Sequence, residues 1–315
     1  MAFYSPDPAM AQILADLVRA LELEGRPGLA QHLSITWLRY DQPLLGRAAD
    51  LDPDKFWAQP VQGASWAGDR PRYPASVVKL VYLVAAEAWR QADLLADTPE
   101  LRRALSDMIR DSSNDATSLV VDLLSGTTSG PSLLPERMAH WVEQRQLVNG
   151  WLSELGWPEL QGCNACQKTW GDGPYGRERD YYGSELENRN RLSTDAVARL
   201  LQALLASALV SPPACARMTA LLARSLDPAL RLEDPENQVD GFIGEGLPLG
   251  SRLWSKAGWM SQARHDAAYV ELPAEGSMPI AAPFLLVIFS EGQACAQDPK
   301  LLPEIASRLA AASRN

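Results

Sequence analysis

Basic side chains are the first scarcity in this chain. Of 315 residues, 29 are Lys or Arg against 39 Asp or Glu, which gives a formal net charge of -10. An acidic surface repels phosphate backbones and anionic bilayers, so neither nucleic acid nor a membrane is expected as a partner. Histidine is limited to His32, His140 and His265, with no ligand spacing among them. Of the four cysteines, Cys163 and Cys166 form a Cys-x-x-Cys, and Cys215 and Cys295 stand alone. A zinc site needs more ligands than that. A redox pair wants a strand–helix context that GCNACQ lacks. No metal and no cofactor is expected. No apolar run is long enough to span a bilayer. The opening MAFYSPDPAMAQILADLVRALELEG has no basic n-region, no continuous apolar core and no small-residue cleavage site. With Met1 as the start, the expected compartment is the cytoplasm. Repeats and low-complexity tracts are also missing.

What remains is ordinary globular material, 46% hydrophobic and 22% charged, with ample core for one large domain or two lobes. The ten tryptophans are many, and most are expected to be packing. The spacing of Ile13, Leu14, Leu17 and Leu21 predicts an amphipathic helix.

The shortage of lysine makes one tetrapeptide informative. There are five lysines, Lys55, Lys79, Lys168, Lys256 and Lys300, and only Lys79 has a serine three positions before it. Ser76-Val77-Val78-Lys79 follows a loop, and Pro74 disfavours helix just ahead of it. From Ser76 the chain reads SVVKLVYLVAAEAW, a buried helix with Ser76 in its first turn. One turn separates Ser76 from Lys79, so both lie on one face. The helix N-terminus presents free N–H groups, and that of Ser76 can help bind an oxyanion.

Two further fragments follow. In LRRALSDMIRDSSNDATSLVVDLL the helical period breaks at Asp111–Asp115, placing Ser112-Ser113-Asn114 in a polar turn. A serine hydroxyl there could pass a proton to a leaving group, and the Asn114 amide could bind a substrate carbonyl. Taken alone, this segment reads rather as a plain helix–turn–helix with polar caps. The third fragment, Lys256-Ala257-Gly258-Trp259, lies in a predicted strand before two more, at 265–272 and 284–289. Lys256 can attract a substrate carboxylate, Gly258 allows close backbone approach, and the Trp259 N–H is a second oxyanion donor.

Ser-x-x-Lys, Ser-x-Asn and Lys-x-Gly in this order resemble the active-site elements of the serine β-lactamase and penicillin-binding protein superfamily, class A-like. The resemblance runs from about His32 to the C-terminus. It implies an α/β (α+β) fold, an antiparallel sheet flanked by helices plus an all-helical lobe. Residues 1–74 and 251–315 would form the sheet lobe and 75–250 the helical lobe, with the site between them. It implies a small-molecule substrate, acylated on Ser76 with Lys79 as base, Ser112 as proton relay, and Asn114, Lys256, Ala257, Gly258 and Trp259 around the ligand. The chain departs from the family pattern in places. Ala257 lacks the hydroxyl usual at the middle of the third element. Ser113 stands where Asp is common. The 36 positions from Ser76 to Ser112 are fewer than usual. Class A enzymes carry a deacylating glutamate on a loop, and GDGPYGRERDYYGSELENRNRLST, expected to be a surface loop, offers Glu178, Glu185 and Glu187. The reading is a serine acyl hydrolase. A D-Ala-D-Ala-type carboxypeptidase, an esterase or amidase, a glutaminase and a binding protein without turnover stay open. Oligomeric state is not legible.

Overall fold

The structure, a computed structural model, describes residues 3–59, 61–274 and 281–314. Among these, seven strands form one sheet: β1 (Ser5–Pro6), β2 (Leu33–Arg39), β3 (Gln62–Trp66), β4 (Ala223–Arg224), β5 (Arg252–Met260), β6 (Ala263–Leu272) and β7 (Ala281–Glu291). Across the sheet the order is β1-β3-β2-β7-β6-β5-β4. Every junction is antiparallel except the short β1–β3 pair. N- and C-terminal segments thus share one sheet with helices on it, the mixed architecture that the sequence order implies.

Each face of the sheet closes a separate core. On one face, Ile35, Trp37, Ala268, Val270 and Ile288 meet the terminal helices Pro8–Leu23 and Leu301–Ala312. The first of these is capped by the Asp7 carboxylate, which accepts from the Ala9 and Met10 N–H groups. It buries Met10, Leu14, Leu17, Val18 and Leu21, the apolar stripe its periodicity predicts. On the other face, Leu38, Ala267, Tyr269 and Val287 meet the helical body. There the Lys79–Gln91 helix is buried along residues 79–87. The Thr194–Ala206 helix is buried at every position except Asp195. An all-round apolar helix belongs in the centre of a helical layer, as these two do.

Three local differences from the sequence reading matter for the site. First, the α-helix starts at Lys79, and Ser76 sits instead in a tight 3₁₀ turn, Ala75–Val78. Second, residues 171–194 are not wholly a surface loop: a short helix, Gly176–Tyr182, buries Glu178 and Tyr181. The reason is charge: Arg145 and Lys168 neutralise Glu178 inside. Third, β4 adds an edge strand beside β5, too short to show a period. Of two isolated bridges, Asn164–Arg191 closes the 164–192 segment on itself and Arg72–Leu192 pins it to the loop before Ser76. No helix among the described residues is long and apolar enough to cross a membrane.

Candidate active site

The loop before Ser76 is fastened to the sheet on several sides. Arg72 Nε donates to Ser34 Oγ (2.8 Å), Nη1 to Glu291 (2.5 Å), and Nη2 to the Gln31 and Leu33 carbonyls (3.1 Å each). Glu291 also accepts from the Tyr73 N–H at 3.3 Å. His265 Nδ1 accepts from the Ser290 N–H (3.0 Å), so Nε2 carries the proton and donates to the Tyr73 carbonyl (2.8 Å). Burial lowers the His265 pKa to about 4, which keeps the ring neutral. The chain then reverses at Ala75, whose φ of +45° is left-handed. Such a conformation costs on the order of 1–3 kcal/mol and persists because the surroundings enforce it. It delivers Ser76, half-buried, to the mouth of the turn. Among the described residues Ser76 Oγ has no hydrogen-bond partner, and its N–H is one of the unpaired first-turn donors.

Ser112 is the junction of the site. It follows the Pro99–Arg110 helix and has a φ of +54°. Ser113 caps the next helix, Asn114–Ser125, through its hydroxyl to the Ala116 N–H at 3.1 Å. Lys79 Nζ lies 2.5 Å from the Ser112 carbonyl, 2.9 Å from Asn114 Oδ1 and 3.2 Å from Ser112 Oγ. From the sheet side, Lys256 Nζ lies 2.9 Å from the same Oγ. One hydroxyl therefore touches two lysines that are distant in sequence. Asn114 Oδ1 also accepts from Thr169 Oγ1 at 2.8 Å, and the Asn114 amide nitrogen has no partner among the described residues.

Strand β5 supplies the other wall. Lys256 and Gly258 share one face, toward the helical body. A Cβ built at Gly258 would stand 2.9 Å from Ser76 N and 3.1 Å from both the Pro74 carbonyl and Val77 N. All three are backbone atoms, so the close approach requires glycine. Ala257 faces the other way, in the core beneath the terminal helices. Trp259 is 60% exposed, and its indole N–H donates to the Ala296 carbonyl at 3.0 Å. The Ala257 N–H points away from β6, because Gln238 Oε1 accepts from it at 3.1 Å. N–H directions alternate along a strand, so the Trp259 N–H, two residues on, lies on the same edge of β5 as the Ala257 N–H. The Ser76 and Trp259 N–H groups are thus backbone donors on two walls that meet at Gly258.

The electrostatics are one-sided. Burial lowers the Lys79 pKa to about 7. Burial, and secondarily the charge on Lys79, hold Lys256 well below its usual range. Arg224, lowered to about 10 by burial, donates to the carbonyls of Ser255, Ile109 and Arg110. The carboxyl of Asp266 acts against this on Lys256 and Arg224, and burial raises its own pKa to about 7. The pocket thus stabilises negative charge and favours a free amine on Lys79.

None of the three loop glutamates bonds Lys79, Ser112 or Asn114. Glu178 accepts from Arg145 and from Ser129 Oγ (2.8 Å) and lies 3.6 Å from Lys168 Nζ. Glu185 and Glu187 are exposed. The neighbour on that side is Thr169, which the sequence reading missed. It also missed Gln238, whose carbonyl oxygen accepts from Lys256 Nζ at 2.6 Å. Neither carries a local signal, because each is brought in by an irregular segment from far along the chain.

Comparison with known proteins bears on the family and the fold. A model of the "Beta-lactamase enzyme family" matches residues 95–312. No curated protein sequence matches significantly. Among solved structures, a β-lactamase from Sphaerobacter thermophilus is similar at 19% identity, covering 96% of this chain and 97% of its own, with a TM-score of 0.62. The structure of PBP-A is similar at 15% identity, covering 98% and 97%, with a TM-score of 0.59. A single-residue mutant of PBP-A, described as an acyl-enzyme complex with penicillin G, overlays with the same score at 16% identity, covering 99% and 98%. At these identities the overlays establish the fold, and the family model, matching well over half of the sequence, establishes that this chain belongs to the β-lactamase enzyme family.

Proposed function

We propose that the protein opens β-lactam rings through an acyl-enzyme on Ser76. The observation that carries this reading is Ser112 Oγ set between Lys79 and Lys256, with the unbonded Ser76 hydroxyl on the 3₁₀ turn that leads into the Lys79 helix. The free amine of Lys79 takes the proton from Ser76 Oγ as that oxygen attacks the lactam carbonyl carbon. The carbonyl π electrons move onto oxygen, which is held by the Ser76 and Trp259 N–H groups. Collapse breaks the C–N bond. The departing nitrogen takes the Ser112 hydroxyl proton, and Ser112 is reprotonated by the Lys79 ammonium. Asn114 offers its amide nitrogen to the ligand's side-chain carbonyl. Incubation with a penicillin, followed by intact mass, tests the reading. The wild type should gain the mass of one penicillin and Ser76→Ala should gain none. A labelled Ser76→Ala protein rejects the assignment.

One observation favours a second reading for the later step, that of a penicillin-binding protein or D-Ala-D-Ala-type carboxypeptidase. Among the described residues the polar contacts of Lys79 are Ser112 and Asn114, followed by Thr169, and none of these is a carboxylate. Hydrolysis of the ester needs a base for water, and without one the adduct persists. In the same experiment a transient adduct supports lactamase turnover and a stable one supports the second reading.

A further inference from the structure

Arg189 lies where the two walls of the site run on past the serine turn. Lys256, Gly258 and Met260 share one face of β5, so beyond the contact of Gly258 with the Pro74–Val77 backbone the next side chain on that face is Met260, roughly 6.8 Å along the strand. Arg189 Nη2 lies 3.9 Å from the Met260 sulfur, and the guanidinium carbon lies 3.8 Å from the centre of the Tyr73 ring. Tyr73 is fixed through its backbone by Glu291 and His265. The backbone of Arg189 is fixed too. Its carbonyl accepts from Asn164 Nδ2 at 3.1 Å, and the adjoining Asn190 Oδ1 accepts from the Cys166 and Gln167 N–H groups at 3.0 and 2.9 Å.

The guanidinium is held in place without being satisfied. A guanidinium has five N–H donors. Among the described residues it meets the Tyr73 ring and hydroxyl and a thioether sulfur, a weak acceptor, while Nε, shielded from solvent, has no acceptor. No carboxylate pairs with it among the described residues. A half-buried cation with open donors is stabilised by anything that accepts from them, and most by an anion.

The end of the ligand that reaches it follows from Ser112. That hydroxyl, between Lys79 and Lys256, gives its proton to the departing nitrogen, so the leaving group lies toward Lys256. A trigonal carbonyl carbon carries its leaving group and its acyl substituent on opposite sides of the oxygen. With that oxygen at the Trp259 N–H, the substituent runs the other way along β5, toward Met260 and Arg189.

Resting on the Ser76 reading above, we infer that Arg189 is a specificity-determining residue for the acyl side of the ligand. It selects β-lactams and related acyl donors that carry a carboxylate on the acyl substituent.

The test uses three penicillins with the same leaving group, which differ only at the α-carbon of the phenylacetamido side chain: benzylpenicillin with hydrogen, ampicillin with an ammonium and carbenicillin with a carboxylate. The second-order rate of adduct formation is measured by intact mass for the wild type, Arg189→Gln and Arg189→Lys. The readout is the ratio of the carbenicillin rate to the ampicillin rate within each protein, which cancels any general loss of reactivity. The wild type should favour carbenicillin by about tenfold, the worth of one hydrogen bond to a charged group. Arg189→Gln should bring the ratio close to unity, and Arg189→Lys, which keeps the charge without the planar fork, should fall between. A wild-type ratio near unity overturns the inference whatever the variants do. A ratio that survives in Arg189→Gln, with all three penicillins slowed alike, overturns it too, because the arginine then only packs the walls together. If none of the three labels the wild type, the Ser76 reading falls and takes this inference with it.

Discussion

Replacing Gly258 by alanine inserts one methyl group between β5 and the serine turn. The new carbon would stand 2.9 Å from Ser76 N and 3.1 Å from Pro74 O and Val77 N, where ordinary contact begins at 3.4 Å. The two backbones must therefore part by about 0.3–0.5 Å. None of the three atoms belongs to a side chain that can rotate away, and Ala75, already left-handed, leaves the turn little room to yield. The gap that opens is the one between the Ser76 and Trp259 N–H groups. One oxyanion donor is worth about 10²–10³ in rate, and a partial loss of alignment for both predicts acylation slower by about 10²-fold. Overpacking should cost about 1–3 kcal/mol of stability. The assay is the second-order rate of penicillin adduct formation by intact mass, with urea unfolding run in parallel. If the variant is folded and acylates within about threefold of wild type, the two N–H groups do not form the oxyanion site.

Two other perturbations read separate parts of the geometry. Acylation should rise with pH up to a plateau above about 7, because the amine that accepts the Ser76 proton is the deprotonated form of Lys79, whose pKa burial lowers to about 7. A flat rate between pH 5.5 and 8.5 would exclude Lys79 as the base. Glu178→Gln should destabilise the fold by about 1–3 kcal/mol, since Asp122, which bonds both Arg145 and Lys168, would be left to balance the two buried cations. The adduct lifetime should stay the same. A folded variant whose adduct becomes much longer-lived would instead make Glu178 the deacylating base.

The three elements were legible because each sits where local pattern and local structure coincide. Ser76–Lys79 precedes a long apolar run, and the packing of that run drives the helix. Ser112–Asn114 interrupts a strong 3.6 period, and the interruption is the turn itself. Lys256–Gly258 lies in a strand followed by two more strong ones. The details that were not legible depend on contacts across the chain. The 3₁₀ turn at Ser76 follows from the fastening of Arg72 and Tyr73 by Glu291 and His265, more than 190 positions away in sequence. Burial of Glu178 needed Arg145 and Lys168, and nothing in GRERDYYG announces partners on other segments. Gln238 and Thr169 are single polar residues in irregular stretches, where periodicity has nothing to report.

Two left-handed residues at the site, Ala75 and Ser112, explain how so small a site holds its shape. Each is a non-glycine residue with positive φ, each stands at a helix entry, and each would relax if its surroundings let go. Ala75 is held by packing and by the fastened loop ahead of it. Ser112 is held by Lys79 at its carbonyl and by both lysines at its hydroxyl. Losing either lysine therefore does more than remove a charge, because it releases one restraint on the conformation that aims the Ser112 hydroxyl. This makes the lysines non-additive. Removing the second after the first should cost much less in acylation rate than removing it alone, as expected for groups that act as a unit. A Lys79→Ala/Lys256→Ala double variant whose rate loss equals the product of the two single losses would show that each lysine acts through its charge alone, with Ser112 placed independently of both.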